Sequence, residues 1–116
     1  MHELSLACSV VELVKKELAL HGGGSVRCIE ITIGDLSGVD NDAFLFSLNM
    51  VLERSAFAGA RVMVDRVKPL AVCGVCGESF SPVLLYASCP KCGSYETRLV
   101  SGQEFRLTSL IVETDK

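Results

Sequence analysis

Four cysteines in the C-terminal half of the chain have the spacing of a metal site. Cys73 and Cys76 form one Cys-x-x-Cys pair, and twelve residues separate it from a second pair, Cys89 and Cys92. Two such pairs can present four thiolates to one ion in a tetrahedron. The pattern therefore predicts a structural metal centre rather than two disulfides or free thiols. Zinc is the favoured metal, and iron stays open because rubredoxin-type turns have the same spacing.

A glycine follows each pair, Gly77 after the first and Gly93 after the second. Glycine adopts positive φ readily, and a residue with positive φ at this point lets backbone N–H groups turn towards the sulfurs. Pro90 fixes its own φ and so favours the second turn. Both turns are thus expected to support thiolate ligands.

The first three residues, Met1, His2 and Glu3, form a second candidate metal site. A terminal amine, deprotonated amide nitrogens and an imidazole suit square-planar Ni(II) or Cu(II), whereas zinc prefers a tetrahedron. A histidine at position 2 is commonly just part of a frayed terminus. The adjacent Glu3 carboxylate and the helix predicted to follow at once favour the metal interpretation. Three aspartates in nearby loops could approach the site: Asp35, Asp40 and Asp42.

The charge of the chain argues against a nucleic-acid partner. Its 116 residues carry a formal net charge of −3. Over residues 70–99 the basic Lys91 and Arg98 balance the acidic Glu78 and Glu96, and a zinc ion held by four thiolates would add about −2. Zinc ribbons that bind nucleic acid usually carry a basic face, which this segment lacks.

Neither export nor membrane insertion is indicated by the sequence. Its apolar runs are far shorter than the ~20 residues that span a bilayer, and the N-terminus lacks a basic region followed by an apolar run. Cysteines that serve as metal ligands suit a reducing compartment. We therefore expect a cytoplasmic protein with no membrane partner. The two other cysteines, Cys8 and Cys28, are expected to be small core residues.

Hydrophobic periodicity and turn residues predict the elements that position these sites. The predicted order is helix 3–20, strand 26–33, helix 42–57, strand 61–68, a metal module at 70–99 and strand 104–113. The second helix is capped by Asp40 or Asp42, and Gly59 is expected to end it. The apolar faces of the two helices are expected to be Leu4, Ala7, Cys8, Val11, Val14 and Leu18, and Phe44, Leu45, Leu48, Val51 and Leu52.

The last strand is expected to return to the first sheet, so that the metal module is inserted between two strands of one domain. The predicted fold class is α+β, with a small mixed sheet of three strands, two helices and an inserted zinc-ribbon or rubredoxin-like module. Residues 1–69 and 100–116 would form the first domain, and residues 70–99 the second.

Three segments together give the chain a resemblance to a known family. They are Met-His-Glu-Leu-Ser-Leu at the start, Ile-Gly-Asp-Leu-Ser-Gly-Val-Asp at 33–40 and Gly-Gln-Glu-Phe-Arg-Leu-Thr-Ser-Leu at 102–110. With the paired Cys-x-x-Cys between them, the chain resembles the HypA/HybF family of nickel metallochaperones for [NiFe]-hydrogenase maturation. The resemblance extends over nearly the whole chain, in the same order and with no large insertion.

The resemblance implies a nickel domain of α/β type that carries a zinc domain before its last strand. It implies nickel ligands from the Met1 amine, from His2 and from backbone nitrogens near Glu3, with Glu3 and Asp40 as auxiliary residues. It implies zinc on Cys73, Cys76, Cys89 and Cys92. The partners it implies are a nickel-handling GTPase and the hydrogenase large subunit, and some members also serve urease. A homodimer is compatible with the sequence.

Other function classes have weaker support. The sequence does not indicate an enzyme. Gly22–Gly24 is not a phosphate-binding loop, because no Gly-Lys-Ser/Thr follows it, and no Ser/His or Cys/His pair stands out. The main alternative is a zinc-ribbon module that binds protein or nucleic acid. A rubredoxin-like iron electron carrier is the third interpretation.

Overall fold

The computed structural model describes residues 3–114 of the chain. Within this range the chain forms two α-helices and six β-strands. In order they are α1 (Glu3–Leu20), β1 (Ser25–Gly34), α2 (Asn41–Glu53), β2 (Arg61–Val67), β3 (Leu70–Cys73), β4 (Ser79–Phe80), β5 (Thr97–Ser101) and β6 (Phe105–Glu113). None of the helices in this range is both long and apolar enough to cross a membrane.

The described residues divide into two compact units. The first unit takes the chain up to Ile31, then Val39–Val64, then the residues from Leu107 onwards, and the second takes Thr32–Gly38 and Asp65–Arg106. The predicted domains, residues 1–69 with 100–116 and residues 70–99, stay a prediction.

Strand β1 is the middle strand of a three-stranded sheet with the order β2-β1-β6. Its alternating Ile29, Ile31 and Ile33 are β-branched side chains that favour strands, and each is at most 1% exposed. The last strand therefore does return to the first sheet. Two helices, this sheet and a four-cysteine cluster confirm the predicted fold class.

Helix α1 has the predicted bounds, but the face that it buries differs from the predicted one. Its buried residues are Ala7, Val10, Val11 and Val14, which recur at the three- and four-residue spacing of one helix face. Cys8, which we expected in the core, is exposed. Periodicity alone could not place this residue, because it lies at one margin of the apolar stripe and Val10 at the other. Cys28 on β1 is buried as expected.

Helix α2 packs on α1 and is shorter than predicted. It buries Phe44, Leu48 and Leu52, and it ends at Glu53 rather than near residue 57. The Ser55 hydroxyl donates to the Leu52 carbonyl oxygen and accepts from the Phe57 N–H. Such local side-chain bonds offer the backbone an alternative to the helix ladder, and they explain the early end.

A second three-stranded sheet, with the order β4-β3-β5, belongs to the second unit. Strand β3 pairs antiparallel with both neighbours, with Val72 opposite Ser79 on one side and Arg98 on the other. The sequence predicted a metal module here but none of its strands. The sheet places the end of β3, and with it Cys73, beside the start of β5.

Candidate metal centre

The two Cys-x-x-Cys segments form two turns of the same design. In the first, the N–H groups of Val75 and Cys76 point to Cys73 Sγ, at 3.4 and 3.5 Å. The Gly77 N–H donates to the Cys73 carbonyl oxygen at 3.0 Å, and Gly77 has a φ of 79°. This conformation requires glycine for steric reasons, as the sequence predicted.

The second turn repeats these contacts around Cys89. The N–H groups of Lys91 and Cys92 lie 3.4 and 3.5 Å from Cys89 Sγ. The Gly93 N–H donates to the Cys89 carbonyl oxygen at 2.8 Å, and Gly93 has a φ of 77°. Two such turns present four sulfurs to a common centre.

The four sulfurs do converge. All lie within 4.8 Å of one another, and the contacts between turns, Cys73 to Cys92 and Cys76 to Cys89, are both 3.6 Å. A tetrahedral ion with metal–sulfur bonds of about 2.3 Å requires sulfur–sulfur distances of about 3.8 Å. The cluster therefore fits a tetrahedral thiolate metal site. Cys73 and Cys89 are buried, whereas Cys76 and Cys92 are exposed.

Backbone donors stabilise the thiolate form of the two buried cysteines. Hydrogen bonds from the N–H groups of Cys76 and Val75 lower the pKa of Cys73 to about 6. The Cys92 N–H is the main cause of a lowered pKa at Cys89. Donors directed at a sulfur favour its charged form, which is the form that binds a metal.

The other two cysteines have raised pKa values. At Cys92 the Ser94 N–H lowers the pKa, but the Cys73 thiol, desolvation and the remaining sulfurs outweigh it and raise the pKa to about 12. At Cys76 the Glu78 N–H also lowers the pKa, and desolvation and neighbouring thiols raise it overall. The four sulfurs lie too close for all to ionise without a cation. A divalent cation bound here would supply the missing charge, since metal binding deprotonates its ligands.

The predicted N-terminal site lies partly outside the described residues. Met1 and His2 are not in the described range, whereas Glu3 opens α1. Glu3 Oε2 accepts a hydrogen bond of 3.1 Å from the Asp40 N–H, and Asp40 caps α2 by accepting from the Ala43 N–H at 3.2 Å. The structure thus brings two predicted nickel residues together, although 37 positions separate them.

Sequence reasoning missed one polar atom in this region. The side-chain oxygen of Asn41, which directly follows the Asp40 cap, is buried and has no hydrogen-bond partner within the described part of the chain. An asparagine in the first turn of a helix is common, and no sequence signal marked it. Val75 and Lys91 were also missed, and their position inside each Cys-x-x-Cys turn is the signal that could have found them.

A family model described as "Hydrogenase/urease nickel incorporation, metallochaperone, hypA" matches residues 1–112. Among curated relatives, the hydrogenase maturation factor HypA of Geobacter metallireducens is 40% identical over 97% of this chain and 100% of its own length. That of Chlorobium limicola is 34% identical over 97% of both chains.

A solved structure shares the fold. The solution structure of the nickel metallochaperone HypA from Helicobacter pylori has a TM-score of 0.70 and 26% identity to this chain. The match covers 99% of this chain and 100% of the other one. A second solution structure, titled as that of HypA protein, has a TM-score of 0.72 at the same identity.

Proposed function

Since this chain belongs to the HypA family of metallochaperones for nickel incorporation, we propose that it binds Ni(II) at its N-terminus and delivers it for hydrogenase maturation. The observation that carries the proposal is the family match over residues 1–112, which includes the N-terminal Met-His-Glu segment. The protein acts as a carrier of nickel, and no catalytic role is proposed for it.

The proposed nickel ligands are the Met1 amine, the His2 imidazole and backbone nitrogens near His2 and Glu3. Asp40 is proposed as an auxiliary residue. The Asp40 N–H bond to the Glu3 carboxylate supports this assignment, because it links the start of α1 to the cap of α2. Nitrogen ligands in a planar arrangement favour nickel over zinc, which prefers a tetrahedron. A partner can also displace them more readily than buried ligands, which suits transfer.

The four-cysteine cluster is proposed to hold zinc with a structural role. Four thiolates complete a tetrahedral shell, and a structural zinc site of this kind has no open coordination position. Zinc would cross-link the two turns, which lie in a segment of short strands with few buried apolar side chains. Cys73 and Cys89 are two of the few buried residues between positions 70 and 101.

The proposed partners follow from the pathway of the family. A nickel-handling GTPase would pass nickel to or take it from this protein, and the hydrogenase large subunit would receive it. Urease is a second client that the family description leaves open. We propose a cytoplasmic location, because cysteines that serve as metal ligands suit a reducing compartment.

A nickel titration tests the proposal directly. Zinc-loaded protein with its native terminus is compared with a matched protein that carries one extra residue before Met1. We expect equimolar nickel binding with a planar d–d absorption spectrum in the native form, and loss of that binding in the extended form. The extension removes the amine from its position but leaves every side chain in place.

Two variants complete the test. His2→Ala is expected to lose nickel while keeping zinc and the far-UV circular dichroism spectrum, and His21→Ala serves as the matched histidine control. Equal nickel binding by the native and the extended protein would place nickel elsewhere. Loss of zinc from His2→Ala would contradict the separation of the two sites.

A further inference from the structure

A groove in the second unit combines apolar, aromatic and cationic residues at the protein surface. It has a volume of about 480 Å³, and its lining includes Leu85, Tyr86, Tyr95, Arg98 and Leu99. The two tyrosines are 89% and 78% exposed, and Leu85 is 43% exposed. Large aromatic side chains exposed together are typical of a binding surface.

One wall of this groove is the outer edge of a sheet. The strand order β4-β3-β5 makes β5 an edge strand, and Arg98 and Leu99 of β5 line the groove. An edge strand presents unpaired N–H and C=O groups that can pair with another chain. The groove is therefore placed where an added strand could bind.

The hydrogen bonds indicate which backbone groups of β5 face outwards. The Gly74 N–H donates to the Glu96 carbonyl oxygen, whereas the preceding Cys73 N–H donates away from β5, to Glu78. An antiparallel ladder alternates in this way. Val72 lies opposite Arg98 and Ala71 opposite Leu99, and the register shifts only beyond that pair, between Ala71 and Leu70. The backbone groups of Arg98 therefore face β3, and those of Leu99 face the open edge.

Arg98 supplies a charge that the described part of the chain does not neutralise. The ion pairs formed by described residues involve Lys15, His21, Arg27, Arg66 and Lys91, and none of them involves Arg98. Its side chain is exposed and lines the groove beside the tyrosines. A guanidinium in this position is well suited to a carboxylate, which it binds with directed, charge-assisted hydrogen bonds.

We propose that this groove binds an extended peptide segment of a partner protein. The segment pairs with the outer edge of β5 at Leu99, places an acidic side chain on Arg98, and packs an apolar side chain against Tyr86 and Tyr95. Addition of a strand to a sheet edge takes its affinity from main-chain hydrogen bonds and its specificity from side-chain pockets. This inference goes beyond nickel binding and does not depend on the N-terminal site.

The test selects ligands with zinc-loaded, full-length protein and a displayed library of short random peptides. We expect the selected peptides to combine an acidic residue with apolar or aromatic neighbours. Each selected peptide is then synthesised, and its affinity is measured by fluorescence anisotropy. On the wild-type protein, the amide signal of Leu99 is expected to shift, and its hydrogen exchange to slow, when the peptide binds.

Two variants and a matched control locate the binding site. Arg98→Glu reverses the charge, and Leu99→Pro removes the outward N–H at an edge position that tolerates proline. Arg98→Glu is expected to weaken peptide binding by about tenfold or more, the scale of one lost charge-assisted hydrogen bond, and Leu99→Pro by roughly fivefold, the scale of one lost neutral hydrogen bond. Arg61→Glu makes the same charge change on β2, in the first unit, and is expected to leave binding unchanged.

Several outcomes would overturn the proposal. One is a selection that enriches no peptide above a selection without the protein. Another is a selected peptide that shifts amide signals only outside the groove and leaves that of Leu99 unchanged. A third is unchanged affinity in Arg98→Glu and Leu99→Pro when both retain zinc and the wild-type circular dichroism spectrum. A concentration-dependent dimer that Arg98→Glu dissociates would show that a second copy occupies the groove. The amide signals of the wild-type protein keep the test valid if a variant fails to fold.

Discussion

Asp40 has two roles that a pair of substitutions can separate. Its carboxylate caps α2 by accepting from the Ala43 N–H at 3.2 Å, and it is also the proposed auxiliary residue for nickel. Asn caps helices about as well as Asp, whereas Ala does not cap them. Asp40→Asn should therefore keep the cap but lose the charge, and Asp40→Ala should lose both.

The structure sets the expected magnitudes. Loss of an N-cap lowers the unfolding free energy by about 1 kcal/mol, whereas Asn and Asp are nearly equal as N-caps. The bond to the Glu3 carboxylate uses the backbone N–H of Asp40, so both variants retain it. With a urea dependence of about 1–3 kcal/mol per molar, the unfolding midpoint of Asp40→Ala should fall by roughly 0.3–1 M, and that of Asp40→Asn should hardly change.

Two measurements give the answer. Urea unfolding followed by circular dichroism at the helix band reports the first unit, because both described helices belong to it. Nickel affinity is measured by competition with a chelator, and we expect about a tenfold loss in both variants, as for residues that orient metal ligands. Asp42→Asn, in the first turn of the same helix, is the control and should bind nickel normally. Wild-type nickel affinity in Asp40→Asn would refute the nickel role and leave Asp40 as a helix cap alone.

Three further predictions concern the second unit. Cys73→Ser should release one equivalent of zinc and unfold the metal module, since structural zinc contributes on the order of 10 kcal/mol to such folds. The control variant Cys8→Ser, at an exposed cysteine outside the cluster, should bind zinc normally in the same metal assay. A folded, zinc-free Cys73→Ser protein would contradict this prediction. Gly34→Ala should lower the free energy of unfolding, measured in urea, by more than about 2 kcal/mol, because the alanine Cβ would lie 2.1 Å from the Gly102 carbonyl oxygen. The control Gly59→Ala places its Cβ in open space and should leave the stability unchanged. Zinc affinity should fall as pH falls, because Cys76 and Cys92, whose pKa values are raised, must release protons when zinc binds. The fall should become steeper below about pH 6, where the Cys73 thiolate is also lost. Competition with a chelator at a series of pH values measures this affinity, and a flat profile would contradict the prediction.

Features with a strong local signal could be predicted from the sequence, and features that depend on particular side-chain contacts could not. Helix α1 has its predicted bounds because a long apolar period ends at three glycines, Gly22–Gly24. The end of α2 was missed because it depends on the Ser55 hydroxyl, whose two hydrogen bonds no propensity scale contains. Strands β3 and β4 have four and two residues, which is too short for a period of two to be recognised.

The candidate sites divide in the same way. The four cysteines were predicted because the spacing itself carries the chemistry, and the structure brings their sulfurs within 4.8 Å of one another. The contact between Glu3 and Asp40 joins the N-terminal ends of α1 and α2, which are far apart in sequence. The sequence could therefore suggest the contact but not establish it. The groove beside β5 had no sequence signal, because Tyr86, Tyr95 and Arg98 come together only when the second sheet forms.

The two proposed metal sites differ enough in donor chemistry for one chain to hold two metals without exchange between them. Four thiolates in a tetrahedron suit zinc, and the N–H groups around Cys73 and Cys89 stabilise those thiolates. A terminal amine, amide nitrogens and an imidazole suit a planar d⁸ ion and oppose the tetrahedral geometry of zinc. Selectivity among divalent metals in proteins comes from geometry and ligand type rather than from raw affinity. On the proposed assignment, the separation of the two metals would come from donor type and geometry: four thiolates on two turns for zinc, and terminal nitrogen donors for nickel.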